Sequence, residues 1–360
     1  MEIRDIIAML NTRWDSLVME LFPNAVRKAG WFELGSLAGE RGQSLKLYRG
    51  VRAGAWVDYG GSDDDKGDAL ILIEKVVTGG NRGEAVKWAK GWLGIDDIEP
   101  AELRRRQQNA QAAVKHQDYV AQQDAVKRRD KAHKMWLSAE PKLRDTPVDY
   151  YLRGRGVDLR EWPRQPGALR FHPDAYERES RSGLPAMMAC ITGERGFMAA
   201  HRTYLTQSQD ETQPNEWFKA PLANCKKVYG TYAGGSIPIW RGASRCPLKD
   251  SPPGERIALT EGIEDALTMA LVDPTLRVHA AVSLSNLAAV WLPDTVKEVI
   301  LCRQNDWDNP QAIAAFEKAI KAHAAKGRVV IDFQTPESAG KDPNDWLQST
   351  NYQEAPHDPV

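Results

Sequence analysis

Cysteine is scarce in this chain. Among 360 residues there are four, Cys190, Cys225, Cys246 and Cys302, and no two form a CxxC pair. A structural zinc site needs closely spaced thiolates or histidines, so none is expected. So few scattered thiols do not make a disulfide framework either, and buried free thiols are the simpler reading. Net charge is also nearly absent. The 48 Lys and Arg against 49 Asp and Glu leave a formal −1, so any basic surface has to be local. No run approaches the ~20 apolar residues of a membrane span. The opening segment MEIRDIIAMLNTRWDSLVMELF is charged throughout and has no signal-peptide core. No GxxxxGK[ST] segment occurs, so no P-loop motor is recognisable. A cytoplasmic chain without zinc and without membrane contact is expected.

What is present has ordinary globular composition, 42% hydrophobic and 27% charged. The length exceeds the ~250 residues at which single cores stop growing, so several domains are expected. Residues 3–22 read as one helix. Short strands follow at WFEL, SLKLYR and AWVDYG, separated by glycine turns. Asp68 is placed to cap a helix beginning at Ala69, and Trp88 and Trp92 share the face of the next helix. Residues 101–142 are polar and helical in character, with ten Lys/Arg against five Asp/Glu. They read either as a linker with a solvated face or as a phosphate-contacting surface. In 143–253, YYLRGRGV reads as a glycine-broken basic turn, and LRFHP, PAMMACI and GFMAAHRTYL read as strands. Pro252-Pro253-Gly254 reads as a hinge. From Arg256 onward strands alternate with helices, the signature of a largely parallel sheet. The expected domains are 1–95, 96–142, 143–253 and 254–350.

Three strand ends in the last segment carry acids. Glu261 follows IALT, Asp306 and Asp308 follow VKEVILC, and Asp342 and Asp345 follow RVVIDF. Ligands of α/β sheets sit beyond the carboxyl ends of strands. Carboxylates gathered there suit Mg²⁺ or Mn²⁺, which take hard oxygen ligands and stabilise charge on a transferring phosphoryl group. Acids that cap helices are the alternative reading.

Residues 256–347 resemble the Toprim domain of primases, topoisomerases and related nucleases. TEGIEDAL at 260–267 looks like its first motif and places the family glutamate on Glu261. GKDPNDWL at 340–347 looks like the closing segment of phage and plasmid primase-type members. The middle motif departs from the family. Where Asp-Asn-Asp is expected, the chain has Gln304-Asn305-Asp306-Trp307-Asp308, so an uncharged side chain stands in place of the first aspartate. The stretch SLKLYRGVRAGAWVDYGGSDDDKGDALILI resembles the β-rich N-terminal domain of these primases without its zinc ligands, held by Trp31, Trp56 and Tyr59 instead. YLRGRG, LRFHP and GFMAAHRTYL resemble the primase fold that precedes Toprim.

The resemblance implies an α+β and α/β architecture. Its parts are a small β-rich N-terminal domain, a helical linker, a mixed primase-like middle domain and a C-terminal Toprim-type domain with a mostly parallel sheet. It implies metal ligands at Glu261, Asp306, Asp308, Asp342 and Asp345, with Glu261, Asp306 and Lys341 in the chemistry. Arg153, Arg155, His201, Arg202, Lys219, Lys226 and Lys227 become phosphate-contact candidates, with solvated surface or strand core as the alternative for several of them. Tyr229, Tyr232 and Trp240 interleave with these residues as stacking or core candidates. The implied function is DNA primase-like nucleotidyl transfer on single-stranded DNA, or RNA, in a phage, plasmid or integrated mobile element. Nucleoside triphosphates would be substrates and a separate replicative helicase a partner. The rival readings are a non-catalytic scaffold derived from a primase, including an inhibitor of host machinery, and a Toprim nuclease.

Overall fold

The computed structural model describes residues 2–62, 64–95, 100–210, 212, 215–305 and 308–349. The chain divides into two compact units at 124/125, and each is described by itself.

The first unit opens with α1 (Ile3–Thr12) and α2 (Trp14–Leu21) rather than the single helix expected. The Thr12 hydroxyl donates to the Met9 carbonyl at 2.7 Å and Arg13 leaves helical angles, so Trp14, Leu17 and Val18 turn into the core. Strands β1 (Val26–Arg27), β2 (Trp31–Leu34), β3 (Leu45–Tyr48), β4 (Trp56–Asp58) and β5 (Lys66–Gly67) form an antiparallel meander in that order. Their period-2 pattern buries Phe32, Leu34, Leu45, Leu47 and Trp56 against α1, α2, α3 (Ala69–Val76) and α4 (Arg82–Leu93). Trp56 belongs to this core, and its indole N–H donates to the Asp68 carbonyl at 2.9 Å. Tyr59 does not. It is 65% exposed, with its hydroxyl 3.0 Å from that of Tyr48, because alternation along the strand turns it to the outer face. Asp68 caps α3 as expected, accepting from the N–H groups of Leu70 and Ile71 at 2.9 Å. Trp88 and Trp92 stack 6.4 Å apart, half-buried against the core.

Helix α5 (Pro100–Leu137) is one continuous helix, and the division between units falls within it. In the second unit, Trp136 near its end packs against Phe197 and donates to the Ala168 carbonyl at 3.1 Å. The segment expected as a basic turn is instead α6 (Pro147–Gly154). Pro147 presets the first turn, Val148, Tyr151 and Leu152 bury one face, and the two glycines only terminate the helix. Strands β6 (Leu169–Glu177), β7 (Ser182–Gly193), β8 (Gly196–Gln207), β9 (Trp217–Lys219) and β10 (Lys226–Gly230) make an antiparallel sheet of order β10-β8-β7-β6, with β9 also paired to β8.

Next comes β11 (Ile237–Arg241), which lies before the expected boundary at 253/254 yet joins the last sheet as its antiparallel edge. The rest of that sheet is parallel: β12 (Glu255–Thr260), α7 (Ile263–Val272), β13 (Arg277–Ala280), α8 (Leu284–Leu287), β14 (Val296–Arg303), α9 (Pro310–Ala324), β15 (Val329–Gln334) and α10 (Pro343–Gln348). Strand order is β11-β13-β12-β14-β15. The mostly parallel C-terminal α/β architecture read from the sequence is therefore present. Among the described residues no helix is long and apolar enough to cross a membrane.

Asp68→Ala removes a cap satisfying two N–H groups and is expected to cost about 1 kcal/mol, with Asp68→Asn close to wild type. Urea denaturation followed by a probe of the first unit checks this. Equal midpoints for Asp68→Ala and wild type would contradict the capping role.

Candidate active site

In the C-terminal sheet, β12 leads away to β13 on one side and β14 leads to β15 on the other. The crevice at the carboxyl ends of β12 and β14 is thus a topological switch point, where open α/β sheets bind ligands. Glu261 sits there, half-buried, lining a small cavity of about 20 Å³ with Cys302, Arg303 and Gln304. Its carbonyl accepts from Val282 N–H at 3.1 Å. Val282 holds φ at +76°, an outlier for a β-branched residue. Such strain is of order 1–3 kcal/mol and clusters at functional sites.

One turn further along α7 lie two buried acids, Glu264 and Asp265. Glu264 gathers Lys219 Nζ at 3.0 Å, Lys226 Nζ at 3.5 Å and the Tyr151 hydroxyl, which donates to it at 2.7 Å. Burial opposes its charge, but the two ammonium groups and the tyrosine outweigh it, so the carboxyl lies well below the usual carboxylate range. The same burial and the same carboxylate push the Tyr151 phenol upward. Asp265 behaves oppositely. Burial first, then the charges of Asp342 and Glu264, push it up to about 7. It accepts from Gln304 Nε2 at 3.1 Å and from the Asn344 backbone N–H at 3.3 Å. Asn344, fully buried, donates onward to the Arg155 carbonyl at 2.9 Å and Thr268 Oγ1 at 3.0 Å. Helices α6, α7 and α10 are thereby tied together.

The middle and closing segments of the proposed motif meet as well. Asn305 donates to the Lys341 carbonyl and, through Nδ2, to the Gly340 carbonyl, both at 2.7 Å. Asp342 caps α10, accepting from Asp345 N–H at 2.9 Å, and Asp345 accepts from Lys341 N–H at 3.0 Å. Gly340 is required here. Its φ is +113°, and a Cβ would come within 2.6 Å of Asp345 Cβ. Asp308 is an exposed turn residue, and Asn309, not Asp308, caps α9. Asp306 lies outside the described residues, and among those described no three His, Cys, Asp or Glu side chains gather closely enough to hold an ion. The donor chemistry nonetheless suits Mg²⁺ or Mn²⁺. The strand ends present hard oxygen donors of the type these ions take.

The seven basic candidates separate by strand alternation. Lys226 and Lys227 are neighbours on β10 and so point to opposite faces. Lys226 turns toward Glu264, while Lys227 pairs with Glu177 and lies opposite Arg202, whose guanidinium donates to the Tyr176 carbonyl at 3.3 Å. Arg202 and Lys227 therefore belong to the far face of the sheet. His201 is buried, which pushes its pKa down to about 4, so it is a neutral strand residue rather than an exposed phosphate contact. Arg153, Arg155 and Lys219 stay together around a cleft of about 820 Å³, with Tyr150, Trp217 and Phe218 in its walls. Arg153 stacks on Tyr150 at 4.7 Å and pairs with Asp149 at 3.5 Å, while Arg155 pairs with Asp345 at 3.5 Å. Tyr151, Glu264, Asp265 and Asn344 were not singled out from the sequence. The one local signal was the run of three acids in EGIED, and only the fold shows that two of them are buried.

Residues 256–352 match the family model of the Toprim domain. Residues 126–239 match a domain of unknown function, DUF7146. No curated protein matches the chain. Among solved structures, the crystal structure of the primase fragment of the bacteriophage T7 primase-helicase protein aligns at 17% identity, covering 60% of this chain and 77% of that one, with a TM-score of 0.34.

Tyr151→Phe keeps the ring and removes a hydrogen bond to a buried charge, so a loss of about 2 kcal/mol is expected in chemical denaturation. An unchanged midpoint would show that Glu264 does not need it. Asp265 carries the opposite pH signature to Glu264. Its folded pKa lies above the ordinary ~3.9, so its contribution is full below about pH 4 and is lost as pH rises toward 7. Asp265→Asn is thus expected to gain stability relative to wild type between pH 4 and pH 8. Parallel stability–pH curves for the two proteins would contradict a raised Asp265.

Proposed function

We propose that this chain, which carries a Toprim domain at residues 256–352, is a primase-like protein performing metal-dependent nucleotidyl transfer on single-stranded DNA. The observation that carries this reading is the basic, aromatic cleft of about 820 Å³, whose Lys219 is bound to Glu264 on the helix following Glu261. Two cations of the cleft, Lys219 and Arg155, pair with Glu264 and Asp345, which supports reading the cleft and the strand-end region together.

In this reading Arg153, Arg155 and Lys219 bind the phosphates of template and nucleoside triphosphate, as point charges and forks suited to them. Tyr150, Trp217 and Phe218 offer ring faces on which bases stack without regard to sequence. Glu261, Asp306 and Asp308 would hold Mg²⁺ or Mn²⁺, which when bound supplies positive charge to the phosphoryl oxygens. Asp342 and Asp345 order the loop that carries Lys341, and Lys341 neutralises phosphate. A separate helicase would open the duplex, in the replication of a phage, plasmid or integrated element.

A second reading is a binding scaffold that keeps the primase shape without turnover. Gln304 favours it. Where a first aspartate is expected, its amide donates to Asp265 and so is engaged within the protein.

Primer synthesis on single-stranded DNA with labelled nucleotides, run in Mg²⁺, Mn²⁺ and chelator, separates the two. Product that requires metal and disappears in Glu261→Gln is expected. No product from a folded protein that still binds DNA would support the scaffold. The cleft has its own test. Arg153→Gln with Lys219→Gln is expected to weaken DNA binding about equally across sequences and to flatten the plot of log K against log salt by about 0.7 per lost phosphate contact. Unchanged binding would remove the cleft from the footprint.

A further inference from the structure

The second unit contains another cavity, of about 720 Å³, which shares no lining residue with the basic cleft. It lies where the turn between β7 and β8 meets the β11 edge of the parallel sheet. Four cations line it, Arg164, Arg195, Arg241 and Lys249, all exposed, against one exposed acid, Glu194. A further lining cation, Arg277, is buried and already answered by Glu255 at 3.1 Å. The remaining charge is therefore strongly positive in a chain that is nearly neutral overall. Two indoles, Trp240 and Trp291, contribute flat apolar walls. The Arg164 guanidinium lies 5.2 Å above the Trp240 ring, and a stacked guanidinium keeps its edge for an anion.

The floor holds a second, independent feature. His279 on β13 is buried, with Nδ1 hydrogen-bonded to Ser236 Oγ at 2.9 Å and Nε2 without a partner. Burial pushes its pKa down to about 3, so the imidazole is neutral near pH 7 and does not add to the charge of the rim. An orphaned buried nitrogen costs about 1–3 kcal/mol, and it persists where something else rewards it. A neutral imidazole nitrogen beneath aromatic walls suits the polar edge of a heterocycle. The rim of cations above it suits a chain of phosphates. The volume is that of a small-molecule site.

We propose that this cavity is a second nucleotide site, taking a free nucleoside polyphosphate with its ring toward His279, Trp240 and Trp291 and its phosphates on Arg164, Arg195, Arg241 and Lys249. The proposal does not depend on the strand-end acids being active. A nucleotide bound there touches both the β7–β8 turn and the β11 edge of the last sheet.

The test is equilibrium dialysis of the full chain against radiolabelled ATP in excess chelator, which removes any metal-dependent binding at the strand ends. Saturable binding is expected. Arg164→Ala with Arg195→Ala is expected to weaken it about tenfold or more, from the loss of two charge-assisted contacts. Both side chains are exposed, so that variant keeps its fold and carries the test even if His279→Leu does not. A folded His279→Leu is expected to lose ATP affinity while retaining its affinity for inorganic tripolyphosphate. The ATP binding that remains in Arg153→Gln with Lys219→Gln, where the other cleft is weakened, is expected to be the fraction that Arg164→Ala with Arg195→Ala removes. Absence of binding, or its loss in the cleft variant but not in Arg164→Ala with Arg195→Ala, overturns the proposal. Tripolyphosphate matching ATP would reassign the cavity to a bare anion, and displacement by a dT12 oligonucleotide as effective as that by ATP would reassign it to a strand. Either result overturns it too.

Discussion

The buried carboxylate of Glu264 is the constraint on which the arrangement of the second unit depends. An isolated charge in a protein interior is prohibitively costly, so it has to be met by opposite charge and hydrogen-bond donors. Here the donors come from three separate elements: Tyr151 from α6, Lys219 from β9 and Lys226 from β10. Satisfying one side chain of the Toprim helix α7 therefore sets where the middle sheet and α6 must lie. A buried ion pair is weak evidence for stability in general. Its stronger effect is on specificity, since few packings of these elements would leave Glu264 answered.

The consequences run outward from that point. Lys219, held by Glu264, forms part of the wall of the cleft in which Arg153 and Arg155 lie. On the other side of α7, Asp265 reaches Gln304 and Asn344 and so fixes the loops following β14 and β15 relative to each other. Glu261 occupies the switch point between these two systems, with its backbone engaged by the strained Val282. Burial disfavours charge on both adjacent acids. Glu264 faces ammonium groups that outweigh it, whereas burial and then the charges of Asp342 and Glu264 drive Asp265 toward the neutral form.

Local pattern made much of the fold legible. The alternation of strand and helix after Arg256, the Asp68 cap and the period-2 strands of the first unit all follow from residue spacing, and all are present. Glycines misled at YYLRGRGV, because Pro147 and an apolar face outweighed them and made a helix. The site was legible only in part. Glu261, Asp342 and Asp345 could be placed at strand and helix ends because those positions are set by the chain itself. The partners of Glu264 are 113, 45 and 38 residues away along the chain, and no periodicity reports a contact of that kind. That Lys226 and Lys227 turn to opposite faces of the sheet follows from strand geometry, which a list of basic residues does not carry. For His201 the alternatives of phosphate contact and strand core turn on burial, which residue type does not report, and the side chain is buried.

The central claim is that charge at position 264 holds α6, β9 and β10 against the Toprim helix. Amide hydrogen exchange on Glu264→Gln tests it most directly, since glutamine keeps the shape and one acceptor oxygen while removing the charge. The account predicts faster exchange in α6, β9 and β10 together, with the first unit unchanged. Exchange in those three elements indistinguishable from wild type would contradict it.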